Sequence, residues 1–453
     1  MRGMRKAVLI LMVAMIAGIA GAQSAGKLLA PQPPMGWNSW DSYGATIDEA
    51  GFKANAEVLA AKLKPFGYQY ATIDIAWYVT NPSTDGNGKD AKLVLDSYGR
   101  VIPDVNRYPS AANGAGFKPL AAYLHSLGLK FGIHILRGIP KSAVEQNLAI
   151  AGTSFHAADA ADTSDSCPWN PDNYGVKNNA AGQAYYDSLG ALYAGWGVDL
   201  VKADCIASHP YRGEEIRMLS EGLRKARYPI VLSLSPGAAP LDKAAELEKY
   251  SEMWRISDDQ WDLWHNTTDW PKGIGDQFAP AAAWAGKASA GHWPDADMLA
   301  IGYLGPAPGM GKPRDTQLTH DEQKSLLTLW SMFRSPLIMG GNLTKLDDWT
   351  LSLLTNAEVI EVDQHSTGGH AVINTEKAAV WVAQPEKGEG TYVAVFNLDS
   401  APQKLSYTWK DLGIVPMRYA FRDLWEHKDL GTVDKLEVTL PPHGCALYRV
   451  TMK

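Results

Sequence analysis

A (β/α)8 barrel followed by a small antiparallel β-sandwich is the architecture this sequence predicts, on three observations. Between about residues 33 and 365, short apolar runs alternate with amphipathic stretches in eight units. Several of the runs end abruptly in charged residues, as barrel strands do where they meet a catalytic rim. Beyond Ser366-Thr367-Gly368-Gly369 helical periodicity stops, and short segments rich in Val, Tyr and Trp follow, separated by turn residues.

The barrel strands are expected at 34–40, 68–77 (YQYATIDIAW), 129–136 (LKFGIHIL), 198–204, 229–235 (PIVLSLS), 253–257, 292–299 and 336–340. Between them, Phe52, Ala56, Leu59 and Leu63 recur at four-three-four spacing, as do Tyr185, Leu189, Leu192 and Trp196, which marks the buried stripe of a helix. Leu326, Leu329 and Phe333 form a similar stripe that stops at Ser335-Pro336. An open doubly wound sheet is the competing α/β architecture, but no glycine-rich nucleotide turn follows an early strand. Sandwich strands are expected at 370–374, 378–384, 391–398, 403–409, 417–425 and 435–449. Two long segments, 79–103 and 138–180, follow barrel strands and should overhang the catalytic face as functional loops.

The first residues read as an export signal: Arg2, Arg5 and Lys6, an apolar run from Ala7 to about Ala20, then the small-residue cleavage site Ala20-Gly21-Ala22. The run is too short to span a bilayer comfortably, so a membrane anchor is the lesser reading. The expected organisation is a signal peptide (1–22), a catalytic TIM barrel (23–365) and a C-terminal β-domain (370–453), in a periplasmic or secreted protein. Residues 1–22 carry three positive charges and no acid, so their removal takes the formal charge from −7 to −10. An acidic mature chain argues against nucleic acid and anionic membranes as partners. Three cysteines exclude a disulfide-dense scaffold. Cys167–Cys205 is the favoured bridge for an oxidising compartment, with three free thiols as the alternative.

Chemistry concentrates at acidic strand ends. In VDLVKADC (198–205), Lys202 and Asp204 share one face of an extended strand, and in WRISDDQW (254–261) Arg255, Ser257 and Asp259 do so. Lysine beside Asp204 would hold a nucleophilic carboxylate ionised; the bland alternative is a structural ion pair. Adjacent residues of a strand point to opposite faces, so at most one of Asp258 and Asp259 faces a site. The parity of Arg255 selects Asp259, leaving Asp258 to cap or hydrogen-bond the loop. Equally, the pair could N-cap a following helix. Asp74, Asp295 and Asp297 complete a set of carboxylates suited to accepting sugar hydroxyls, and Trp37, Trp40, Trp77 and Trp293 offer aromatic faces. Trp37 and Trp77 stand out because they lie at expected strand ends. His134, inside a strand, reads as a satisfied buried contact. No His-x-His or His-x-x-x-His pair, Walker loop, nucleophile elbow or Cys-x-x-Cys occurs, so neither a metal nor a cofactor is expected.

These residues lie in motifs that resemble glycoside hydrolase family 27, the α-galactosidase or melibiase family. The motifs are PPMGWNSW (33–40), GYQYATID (67–74), GLKFGIH (128–134), DLVKAD (199–204), WRISDD (254–259), WPDADML (293–299) and SPLIMGGNL (335–343). The resemblance implies a retaining, metal-free double displacement. It aligns Asp204 with the nucleophile, Asp259 with the acid/base, and Trp37, Asp74, Lys202, Arg255 and Asp297 with sugar-contacting positions. Two departures bear on the substrate. Most α-galactosidases carry two consecutive aspartates where this chain has Asp74-Ile75, and Ile75 removes an acceptor for the galactose 6- and 4-hydroxyls. β-L-Arabinopyranose is galactose without the hydroxymethyl group. Ser235 replaces a glutamate near the sugar 2-hydroxyl, as in the α-N-acetylgalactosaminidase branch. Cys205 also sits one residue after the nucleophile, where the family's cysteine usually comes two after.

The sequence therefore predicts an exported retaining exo-glycosidase acting on terminal α-D-galactosides. β-L-Arabinopyranosides are the main alternative and α-N-acetylgalactosaminides a lesser one. A catalytically silent carbohydrate-binding barrel and a metal-dependent barrel hydrolase are the readings from other classes. Oligosaccharides or polysaccharides bearing terminal galactose or arabinopyranose are the expected partners.

Overall fold

Eight short strands hydrogen-bond in parallel into one curled sheet: β1 (Met35–Asn38), β2 (Tyr70–Ile73), β3 (Lys130–Leu136), β4 (Leu200–Asp204), β5 (Val231–Leu234), β6 (Met253–Arg255), β7 (Trp293–Asp295) and β8 (Leu337–Met339). The structure is a computed structural model and describes residues 28–84, 86–305 and 312–452. The segment read as an export signal lies outside them. No helix among the described residues is long and apolar enough to cross a membrane.

The sheet order is β7-β6-β5-β4-β3-β2-β1-β8. Its two edges meet just past the end of β7, where Leu299 bridges Met339 in parallel and Leu299 N–H donates to Ile338 O at 2.8 Å. The result is a TIM-like barrel. Helices follow the strands in turn: α1 (Glu49–Val58), α2 (Lys118–Ser126), α3 (Ala180–Trp196), α4 (Gly213–Lys225), α5 (Ala244–Tyr250), α6 (Phe278–Trp284), α7 (His320–Phe333), α8 (Asp348–Leu354) and α9 (Ala357–His365). Their ends are chemically marked. Asp48, Asn179 and Thr319 cap α1, α3 and α7 by accepting backbone N–H bonds, and Gly197 ends α3 in the left-handed region.

The barrel interior is built in layers, because every second side chain of a strand points the same way. Tyr70, Leu200, Val231, Met253 and Trp293 form an apolar base closed by Ala30. Two residues further along each strand stand Thr72, Lys202, Ser233, Arg255 and Asp295, lining a small void of about 30 Å³. Another two residues on, beyond most of the strand ends, come Asp74, Asp204, Ser235 and Asp297. Charge rises along the barrel axis toward the strand C-termini.

The C-terminal region forms a six-stranded antiparallel sheet faced by a two-stranded one. The strands are β9 (Ser366–Asn374), β10 (Ala378–Pro385), β11 (Thr391–Asn397), β12 (Gln403–Thr408), β13 (Tyr419–Asp423), β14 (Lys428–Val433), β15 (Lys435–Leu440) and β16 (Cys445–Met452). Alternation again divides the faces. Val380, Val393, Val395 and Val450 pack with Leu405 and Leu436 from the small sheet, while Trp381, Phe396 and Leu447 belong to the same apolar cluster as Trp330 and Phe333 of α7. The expected strand 435–449 is two strands, parted at 441–444 where Pro441 and Pro442 cannot donate to a ladder. Strand β14, polar and mostly exposed, had no apolar pattern to announce it.

Candidate active site

One cavity of about 660 Å³ opens over the C-terminal ends of the barrel strands, within the usual range for a small-molecule site. It draws Trp40 and Asp41 from the segment after β1, Asp74 and Ile75 from β2, His134 from β3, Lys202 and Asp204 from β4, Ser235 from β5, Arg255, Asp258 and Asp259 from β6, and Asp297 from β7. Gly86 from the 79–103 segment, Pro168, Trp169 and Asn170 from the 138–180 segment, and His209, Asp269 and Trp270 from the segments after β4 and β6 add to its rim. Both long segments thus border the cavity, although a strand pair interrupts the first, and a three-stranded sheet with two short helical turns interrupts the second.

Asp204 accepts the Cys205 N–H at 2.7 Å and the Ser235 hydroxyl at 3.3 Å on Oδ1, while His134 Nε2 stands 3.3 Å from Oδ2. Burial pushes this carboxyl up, but the His134 contact, Lys202 and the Cys205 N–H outweigh it, so Asp204 lies below the usual carboxylate range. Lys202 is turned elsewhere: its ammonium donates to Asp74 Oδ2 at 2.8 Å. Asp74 also accepts from Asn38 at 2.9 Å and from the Ile75 N–H at 2.8 Å. Despite burial, Lys202 and His134 hold Asp74 well below its ordinary value. Lysine is therefore not the immediate partner of Asp204, as the sequence suggested. That place belongs to His134, which sequence reasoning set aside as an ordinary core contact.

On the opposite wall, Arg255 Nη1 bridges Asp297 Oδ1 at 2.8 Å and Asp259 Oδ1 at 3.2 Å. Asp297 Oδ2 takes the Gln260 N–H at 2.8 Å. Burial, with the Asp259 and Asp295 carboxylates, pushes Asp297 up to about 7 against the pull of Arg255. Asp259 Oδ2 accepts the Trp270 indole N–H at 3.3 Å. Asp258 lines the same cavity, paired with His209 at 3.1 Å. Strict alternation fails here because β6 ends at Arg255 and residues 256–258 form a bend. The capping alternative also falls away, since the next helical turn begins only at Gly275.

Trp37 is not in the cavity. It is fully buried on the outer face of β1, donates to Gly341 O at 2.8 Å and packs on Tyr43 and Phe52. Trp77 is likewise core, and Trp293 belongs to the barrel base. Trp40 supplies the aromatic face instead. The signal was available: Asn38 is the polar residue of this strand, so the inward parity runs through Asn38 to Trp40 and leaves Trp37 outside. Cys167 and Cys205 form the favoured disulfide, tying the residue after Asp204 to the rim segment that carries Trp169.

The chain matches the family model described as alpha galactosidase A over residues 173–365, and the alpha galactosidase C-terminal beta sandwich domain over 375–450. A family 27 β-L-arabinopyranosidase from Geobacillus stearothermophilus, solved with arabinose, is 46% identical, with a TM-score of 0.89 over 94% of this chain and 98% of that one. The chain belongs to glycoside hydrolase family 27. More distant relatives include alpha-galactosidase 3 of Arabidopsis thaliana, 29% identical over 93% of this chain and 82% of its own length. The alpha-galactosidase of Cyamopsis tetragonoloba is 28% identical over 93% and 87%. This family 27 member is accordingly a glycoside hydrolase acting on a carbohydrate substrate.

Proposed function

We propose that this glycosidase is an exported, retaining exo-enzyme that releases terminal β-L-arabinopyranose, with α-D-galactose as its second substrate. The observation that carries the reading is Ile75, whose side chain forms part of the cavity wall beside Asp74. A branched apolar side chain fits a sugar that has no hydroxymethyl group, and it supplies no acceptor for a 6-hydroxyl. The 46% identity to a β-L-arabinopyranosidase supports the same order of preference, which reverses the order drawn from sequence. Loss of one charge-assisted hydrogen bond is worth ~1.5–3 kcal/mol, roughly tenfold to over a hundredfold in selectivity.

In the mechanism, Asp204 attacks the anomeric carbon while Asp259 gives its proton to the glycosidic oxygen. The bond to the leaving group breaks and a glycosyl ester forms on Asp204. Asp259, now a carboxylate, takes a proton from water, which attacks the anomeric carbon, breaks the ester and restores Asp204. Asp74, Lys202, Arg255 and Asp297 hold sugar hydroxyls, with Trp40 against the ring. Ser235 leaves space near the 2-hydroxyl. Export is supported by the N-terminal charge and apolar pattern, and by a disulfide that oxidising compartments favour.

The test compares kcat/KM on nitrophenyl β-L-arabinopyranoside and nitrophenyl α-D-galactoside. The arabinoside is expected to lead by about tenfold or more, and Ile75→Asp to raise the galactoside-to-arabinoside ratio. An unchanged or lowered ratio in that variant rejects the role given to Ile75.

A further inference from the structure

Of the 16 tryptophans in the sequence, Trp169 and Trp270 are the exposed ones among the described residues, each at 46%. Both line the cavity that holds Asp204 and Asp259. Large apolar rings left open beside a site point to something that covers them.

They are linked along the rim. The Trp169 ring meets His209 edge-on at 6.4 Å. His209 Nε2 lies 3.1 Å from Asp258 Oδ1, Asp258 precedes Asp259, and Trp270 Nε1 lies 3.3 Å from Asp259 Oδ2. The arc therefore begins and ends in a tryptophan and passes through Asp259. It contrasts with the floor of the cavity, where the Lys202–Asp74 and Arg255–Asp297 pairs present charged and polar groups suited to hydroxyls. Whatever leaves the anomeric carbon must have its oxygen next to Asp259, which places the leaving group against this arc.

We infer that Trp169, His209, Asp258 and Trp270 form a leaving-group subsite for a second ring, a pyranose or an arene with one apolar face. This rests on the assignment of Asp259 as proton donor. Tryptophan faces pack against such rings, and the Asp258 carboxylate, held by His209, accepts a hydroxyl on the ring's edge. The enzyme is then selective for what the sugar is attached to as well as for the sugar.

Three substrates of one sugar decide it: the glycosyl fluoride, whose leaving group has no ring, the nitrophenyl glycoside, and a disaccharide. In Trp169→Ala, kcat/KM is expected to fall tenfold or more on a ring-bearing substrate, chiefly through KM, while fluoride release stays within threefold of wild type. Trp169→Phe, which keeps a ring, is expected to recover most of the loss. A loss confined to the nitrophenyl glycoside identifies an arene as the ligand, and one confined to the disaccharide a pyranose. Equal losses on all three substrates, or no loss on either ring-bearing one, overturn the subsite. Wild-type protein that releases fluoride from neither arabinopyranosyl nor galactosyl fluoride overturns the glycosidase reading beneath it, and the subsite with it.

Discussion

Asp204 keeps its charge against burial because His134, Lys202 and the Cys205 N–H favour the ionised form, and His134 is the donor that approaches Oδ2. His134 Nδ1 is buried without a hydrogen-bond partner, so the ring's polar contact is made through Nε2. Replacing it with phenylalanine removes a donor that favours the ionised carboxylate, and Asp204 must then titrate higher. The acidic limb of kcat/KM, which reports groups of the free enzyme, is therefore expected to move to higher pH in His134→Phe, with kcat lowered. A limb that stays in place contradicts the role. Asp74, Lys202, Asp204, Arg255 and Asp297 were legible in sequence because each breaks an apolar strand with charge at an inward position. Trp40 was legible in principle through the parity of Asn38. His209, Trp169 and Trp270 were not, because they stand on irregular segments where no period relates a residue to the barrel axis.

Strands and segments show the same division. Eight strands could be read because apolar runs alternate with amphipathic stretches. Their C-terminal limits could not, since the bend after Arg255 brings Asp258 and Asp259 to one cavity against the rule of alternation. The rim segment at 161–176 is fixed twice. Arg137 binds Asp165 and Glu215 at 2.9 and 2.8 Å, and the Cys167–Cys205 disulfide joins the segment to the end of β4. Opening a bridge that closes a loop of this size, with a separation of 38 residues, costs about 2–4 kcal/mol. Cys167→Ser is therefore expected to lower Tm measured by calorimetry. Because Trp169 lies two residues on, the same variant should raise KM for ring-bearing substrates more than it changes kcat. A variant with wild-type Tm and KM contradicts that account of the bridge.

At the scale of the molecule, barrel and sandwich share one apolar cluster. Phe278 meets Phe396 with ring centroids 5.0 Å apart, Phe333 meets Trp381 at 6.3 Å, and Trp264 stacks on His443 at 4.1 Å. Lys324–Glu426 and Arg334–Glu386 rim this contact at 3.2 and 3.1 Å. The sandwich covers the α7 side of the barrel and, among the described residues, contributes no side chain to the lining of the catalytic cavity. Chemistry is left to the barrel mouth, where residues from seven of the eight strands or the segments that follow them deliver carboxylates, two cations and two histidines to one opening. The most direct measurement of what that opening does is peptide mapping after inactivation with a fluorinated arabinopyranosyl fluoride that forms the ester faster than water removes it. The expected result is one added sugar on Asp204, with no labelling in Asp204→Ala. A sugar carried by any other residue, or turnover with inversion and no trapped ester, contradicts the account.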